Sequence, residues 1–160
     1  MKQSHLFIPV LNEWIAVFMH RSMQNLIKFT REKGYSMSQI FALTVIHHRG
    51  TCGVSDIGEG MGVSNAAASQ LLDKLVHQKM IERTEDPEDR RGKQIRLTPK
   101  GAQVIQESYF ARKSWFKELE DSLSVSEKEQ TINALNILIE KGRQLEQAST
   151  AAAIQDNPEL

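Results

Sequence analysis

The sequence predicts a mainly α-helical fold with one small β-hairpin (α+β), on three observations. Across residues 54–79, VSDIGEGMGVSNAAASQLLDKLVHQK, apolar residues recur at helical spacing and the pattern is interrupted once, at Gly62. That is the pattern of two short helices joined by a tight turn. Residues 81–98, IERTEDPEDRRGKQIRLT, then alternate on both sides of a polar loop holding Pro87 and Gly92, which reads as a hairpin. On either side of this block, long stretches carry apolar residues at three- and four-residue steps, as amphipathic helices do.

A chain of 160 residues with 40% hydrophobic content has the size and composition of one ordinary domain, or one domain plus an extension. Its apolar runs fall short of the roughly 18–20 residues that a membrane-spanning helix needs. The opening MKQSHLFIPVLNEW has no signal-like cleavage site, so the expectation is a cytoplasmic protein with no membrane partner. The single cysteine, Cys52, excludes an intrachain disulfide and fits a reducing compartment. A net charge of zero argues against a histone-like binder of polyanions. Charge is local instead: residues 64–100 hold eight Lys/Arg against six Asp/Glu, and residues 101–160 hold six against ten.

The elements follow in order. Pro9 suits the first turn of a helix whose stripe is Leu11, Trp14, Ile15, Phe18, Met19, Leu26 and Ile27, with Gly34 as its stop. Ser36 and Gln39 form a capping-box pattern for a second helix. That helix is apolar almost all round from Met37 to Arg49, which predicts a buried central position, and Gly50 ends it. Residues 51–53 read as a short extended link. After the hairpin, Thr98-Pro99 caps and starts a helix with the stripe Ile105, Tyr109, Phe116, Leu119 and Leu123, Arg112 filling the remaining place. Ser126–Glu129 reads as another capping box, opening a last helix through Ile132, Leu135, Leu138, Ile139, Gly142 and Leu145. From Ser149 the stripe is lost and a frayed tail is expected. Trp14, Phe18, Tyr109, Phe110, Trp115 and Phe116 serve either as core or as a helical dimer interface; stripes on such long terminal helices favour the interface.

Within the helix pair, Ile57 and Met61 face inward, Gly58 leaves room for the second helix, Gly62 suits a turn with positive φ, and Val63 is expected to bury the turn. Ser64 caps the second helix, and Ala68, Leu71, Leu72 and Leu75 form its inner face. Asn65, Ala66, Ser69, Gln70 and Lys74 are left outward. Asn and Gln pair with adenine edges, Ser with bases or phosphates, and Ala meets a thymine methyl, while the helix start favours a phosphate. A helix pair alone is often only a packing unit; a basic-tipped hairpin directly after it makes a DNA-reading surface the better account. The hairpin loop carries Glu85, Asp86, Glu88 and Asp89 besides Arg90, Arg91 and Lys93. These acids make sense if Asp89 orients an arginine, leaving Arg91 for the narrow, electronegative minor groove.

With VSDIGEGMGVS, SNAAASQLLDKL and DPEDRRGKQIRLTPKG in view, the chain resembles the MarR family of winged helix-turn-helix regulators, over about residues 7–147. The Asp89-Arg90-Arg91 wing signature and the LTPKG exit are its more specific parts. The resemblance implies a homodimer built from the first and last two helices, bound to a palindromic promoter site on double-stranded DNA. It gives residues 64–74 as the reading helix, Arg91 as the minor-groove residue and Asp89 as its partner. The expected organisation is a dimerisation helix in 1–35, a winged lobe in 36–100, dimerisation helices in 101–148 and a tail in 149–160. The chain departs from the pattern where a glycine usually precedes the wing; Lys79-Met80 stands there. Gly58 and Gly60, at roughly 1 kcal/mol each against alanine, also suggest a loosely held first helix of the pair.

Relatives of this kind often answer to small, frequently aromatic ligands, which implies a pocket where the dimer helices meet the winged lobe. Trp14, Phe18, Phe41, His47 and Tyr109 are its candidates here, with ordinary packing an equal account of them. Cys52 near Arg49 raises a redox-responsive alternative, though an inert buried thiol is the better reading. His47 and His48 point about 100° apart on a helix and no second cluster completes a metal set, so no metal or other cofactor is expected. No phosphate loop, nucleophile elbow or HExxH motif occurs, and no enzymatic activity is expected. The expected function is that of a ligand-responsive repressor; the alternative from another class is a winged docking module that binds protein and no DNA.

Overall fold

The computed structural model describes residues 4–85 and 93–156, and their side chains from 5 to 84 and from 94 to 149. A 3-10 turn, Ser4–Leu6, leads into α1 (Phe7–Lys33), followed by α2 (Met37–Arg49), α3 (Val54–Met61), α4 (Asn65–His77), β1 (Ile81–Glu85), β2 (Lys93–Leu97), α5 (Pro99–Lys113), α6 (Phe116–Ser122) and α7 (Val125–Asp156). The chain divides into two compact units, Met1–Trp115 and Phe116–Leu160.

In the first unit α1 is 27 residues long but buries only its later part, at Ser22, Leu26, Phe29 and Thr30. Those positions share one helix face, and α5 packs on it. Gly34 ends α1 in the left-handed region (φ 72°). The Ser36 box forms as the sequence predicts: Ser36 Oγ accepts from Gln39 N–H at 3.1 Å and Gln39 Oε1 accepts from Ser36 N–H at 2.8 Å. Gln39, Ile40, Ala42, Leu43 and Ile46 of α2 are buried, but Phe41 is 50% exposed, so the helix is central on one side only. One contiguous core joins α1 (Leu26, Phe29) and α2 to Ile57, Leu72, Leu75, Met80, Ile81, Ile95, Val104 and Ile105.

β1 and β2 pair antiparallel in the register Ile81↔Leu97 and Arg83↔Ile95, with Ile81 and Ile95 in the core. Residues 51–53 are more than a link. Cys52 exchanges hydrogen bonds with Ile95, its N–H reaching Ile95 O at 3.2 Å and its carbonyl accepting from Ile95 N–H at 2.8 Å. The wing root is thereby held on both sides.

The helix after the wing is shorter than its stripe suggests. It stops at Lys113, and Phe116, Leu119 and Leu123 belong to the second unit. The cause is tertiary: Ser114 Oγ turns back to Ala111 O (2.9 Å) and takes a bond from Asn25 Nδ2 (2.9 Å), and Trp115 Nε1 donates to Ser22 Oγ (3.2 Å). Trp115 is 4% exposed, so it belongs to the core and not to an interface.

In the second unit the capping box sits two residues earlier than the sequence suggests. Ser124 N–H donates to Glu127 Oε2 at 2.8 Å and Ser124 Oγ accepts from Glu127 N–H at 3.4 Å. Both serines offer the pattern; Ser124 is the one three residues before a glutamate that can reach back. Ser124 Oγ also donates to Glu127 Oε2 at 2.7 Å, and this bond, with the one from Ser124 N–H, holds the Glu127 carboxyl below its usual range. The helix also runs past Ser149 through Asp156, where three consecutive alanines favour it without a stripe.

Candidate nucleic-acid interface

Gly62 (φ 66°) makes the turn between α3 and α4, with Val63 N–H returning to Gly58 O at 2.9 Å. Val63 itself is 41% exposed: the turn is closed by backbone bonds and does not need its side chain. A Cβ on Gly58 would lie 2.9 Å from Asn65 Oδ1 and 3.2 Å from Val63 O, and one on Gly60 would lie 3.0 Å from Val45 Cγ1. Both glycines thus sit where neighbours approach closely, which accounts for a glycine-rich α3. Ser64 caps α4 by accepting from Ala67 N–H at 3.3 Å.

Ala68, Leu72 and Leu75 of α4 are buried, with Leu71 half-buried. Asn65, Ala66, Gln70 and Lys74 are exposed and Ser69 is half-buried. The side chain of Asn65 leans back over α3, 3.5 Å from Ser55 Oγ. Gln70 and Lys74 form one wall of a groove of about 670 Å³, whose other wall holds Tyr35, Ser36, Ser38 and Gln39. That groove has no signal in the sequence beyond the capping box at its edge.

Asp89, Arg90 and Arg91 lie outside the described residues. Lys93 is described only as the β2 residue opposite Glu85. The wing root is described. Arg83 Nη2 lies 2.7 Å from Asp73 Oδ1 of α4, and on the other face Arg96 Nε donates to Glu82 Oε1 at 2.6 Å. The departure at Lys79 also has a structural answer. Lys79 adopts φ 59°, the conformation that glycine would supply, within a Schellman-type end: Lys79 N–H reaches Val76 O at 2.8 Å and Met80 N–H reaches Leu75 O at 2.9 Å. The LTPKG exit packs on this end. Thr98 Oγ1 donates to Lys79 O (2.7 Å) and Lys100 Nζ to Gln78 O (2.9 Å), while a Cβ on Gly101 would overlap the carbonyl oxygen of Met80.

The five candidate effector residues do not gather at one place. Phe18 and Tyr109 line a cavity of about 210 Å³ with Met19, Ser22, Met23, Leu26, Arg112 and Lys113. Trp14 stacks toward Trp115 (centroids 6.2 Å apart) and Phe41 faces outward; neither lines the cavity, nor does His47, although its ring is 6.3 Å from that of Tyr109. Arg112, in the sequence only a gap in a stripe, brings a buried Nε that has no hydrogen-bond partner among the described residues. Cys52 is buried; burial pushes its thiol up, the Asp56 charge adds to this and Arg49 opposes it. That is the reverse of what a reactive thiolate needs.

The MarR family model matches residues 35–93. YfiV, an HTH-type transcriptional regulator of Bacillus subtilis, is 34% identical over 103 residues, 64% of each chain. The chain spans about two thirds of the length of the first curated relatives it matches. The transcriptional regulator Tm0710 of Thermotoga maritima superposes with a TM-score of 0.75 at 23% identity, over 91% of this chain and 98% of that one. S. aureus MepR, solved bound to an oligodeoxyribonucleotide, superposes at 0.63 and 23% identity, over 82% of this chain and 96% of that one. Through residues 35–93 the chain matches the MarR family model, and its fold is similar to that of solved winged helix-turn-helix regulators.

Proposed function

We propose that this protein is a sequence-specific DNA-binding regulator that acts as a homodimer on a palindromic site. The observation that carries the reading is α4: its inner face is buried, its amino end is capped by Ser64, and its outward side chains are small or polar and solvent-facing. A helix in that state enters a major groove without first breaking its own packing. Gln70 and Lys74 are the best-presented contacts, with Ser64, Ala66 and Ser69 near the helix start; Asn65, resting on α3, is a secondary one. The wing, rooted by Asp73–Arg83, extends the surface toward Arg90, Arg91 and Lys93, with Asp89 orienting Arg91 for the minor groove. The similar MepR structure holds DNA, which supports the same use here.

Control is proposed to be repression relieved by a small aromatic effector. The cavity between α1 and α5, with Phe18, Tyr109 and Arg112 on its wall, is its proposed seat. Binding there acts only to the extent that the ligand prefers one dimer geometry over another.

Selection of bound duplexes from random DNA, repeated with a panel of aromatic acids, tests both parts. The expected result is enrichment of a two-fold site, with log affinity falling linearly as log salt rises. No enrichment together with only background binding would overturn the reading in favour of a docking module. Arg91→Ala is expected to weaken binding and blunt the preference for an A·T-rich flank; unchanged preference would remove the wing assignment.

A further inference from the structure

A second polar feature lies at the opposite end of α4 from its reading start. Gln39 is only 7% exposed, yet both ends of its amide are engaged. Its Oε1 accepts from Ser36 N–H at 2.8 Å, and its Nε2 donates to Gln78 Oε1, also at 2.8 Å. Gln78 is the C-cap of α4, and its carbonyl accepts from Lys100 Nζ at 2.9 Å. Ser36 stands two residues after Gly34, the left-handed end of α1. One buried amide therefore ties the start of α2, just past the end of α1, to the carboxyl end of α4, while α5 holds the same residue from the other side.

An amide in this position is a spacer of fixed length. Apolar contacts tolerate sliding, whereas two hydrogen bonds of 2.8 Å on one planar group fix both separation and direction. Burial strengthens this, because a broken bond would leave a donor or acceptor dry. The groove beside Gln39 also carries Gln70 and Lys74, so a tilt of the carboxyl end of α4 would move the reading side chains with it.

We propose that Gln39 is a positioning residue whose amide, bridging Ser36 and Gln78, sets the angle at which α4 meets DNA. The proposal rests on the reading of α4 as the DNA-contacting helix. It differs from a simple stability role in predicting that site choice changes, and not only the fraction folded.

Paired substitutions test it. Q39E keeps an oxygen for Ser36 N–H, and the Gln78 amide can rotate to donate to it; Q78E keeps an acceptor for Gln39. Each single variant thus retains one bridging amide. Q39E/Q78E sets two carboxylates face to face and breaks the bridge. Site selection with wild type, both singles and the double, on duplexes whose half-sites are moved by one and two base pairs, gives the readout. The expected result is about a tenfold loss in the double of the preference for the wild-type spacing, more than the two singles combined. Q78A, which removes only the acceptor, is expected to shift preference the same way by a smaller factor, and stands in if the double does not fold. A double or Q78A variant that binds more weakly but keeps the wild-type spacing preference would overturn the positioning role and leave the DNA reading intact. A wild type that selects no site would overturn both.

Discussion

Three residues carry the local consequences most sharply, and Lys79 is the plainest. It holds φ 59° at the junction of α4 and the wing, a conformation that costs an L-residue with a side chain about 1–2 kcal/mol. Glycine removes that cost but has more freedom to lose on folding, so Lys79→Gly is expected to gain about 0.5–1 kcal/mol. For a domain of this size that is a rise in Tm of ~1–4 °C, read by thermal melting; a fall would mean that the lysine side chain contributes more than its backbone loses. Gly101 is the opposite case. The Met80 carbonyl occupies the place of its Cβ, so Gly101→Ala must push α5 off the wing root, at about 2–4 kcal/mol. Cys52 gives a pH dependence. Its thiol is pushed up from 9.0, chiefly by burial, so the protonated form is favoured in the folded state. The resulting stability is present below pH 9.0 and is lost as pH rises through the higher folded value. Denaturant midpoints should therefore fall above that pH in the wild type and less so in Cys52→Ala; parallel curves would show that the thiol does not titrate differently on folding.

At the scale of elements, the sequence is most legible where the signal is local. The Ser36–Gln39 box, the Ser64 cap, the left-handed Gly62 and the Thr98-Pro99 start are each written in three or four adjacent residues, and each forms. What is not local is harder to see. Ser114 and Trp115 end α5 because Ser22 and Asn25, some ninety positions away, receive them. Cys52 pairs with Ile95 across 43 positions. Neither spacing leaves a periodic trace. The candidate site divides the same way. The outward face of α4 follows from helical period alone, whereas the groove opposite Gln70, the second bond of Gln39 and the place of Arg112 depend on how separate helices meet. This difference ranks the reading residues. Gln70 stands free on α4 while Asn65 rests on Ser55, so Gln70→Ala is expected to relax discrimination at one base position by roughly 1–3 kcal/mol, and Asn65→Ala by less. Binding measured against single-base variants of the selected site distinguishes them; a uniform loss across all sites would assign Gln70 to phosphate instead.

For the whole molecule the question is what the exposed apolar side chains are for. In the first unit, Leu6 of the opening turn and Phe7, Ile8 and Val10 of α1 all stand in solvent, and the buried positions of α1 begin only at Ser22. In the second unit, Ile132, Leu135 and Ile139 of α7 are exposed at three- and four-residue steps, one face of a helix. Single exposed apolar residues need no explanation, but a run of them on each of two long helices is the composition of a covered surface. A second copy of the chain is the occupant that the proposed function requires. Two α4 helices must stand about 34–36 Å apart to enter successive major grooves, and one chain supplies one α4. If a dimer interface holds the fold together, the melting temperature should rise with protein concentration, because mass action favours the associated state. Leu135→Asp, placing a charge on the exposed face of α7, is expected to abolish that dependence and to shift sedimentation toward the monomer. DNA affinity should then fall from the roughly 10⁻⁸–10⁻¹¹ M of specific complexes to the roughly 10⁻⁴–10⁻⁶ M of nonspecific contact, since one half-site presents too few phosphates and bases. A wild type that is monomeric at micromolar concentration yet binds a two-fold site tightly would place the pairing on the DNA itself and leave these helix faces for another partner.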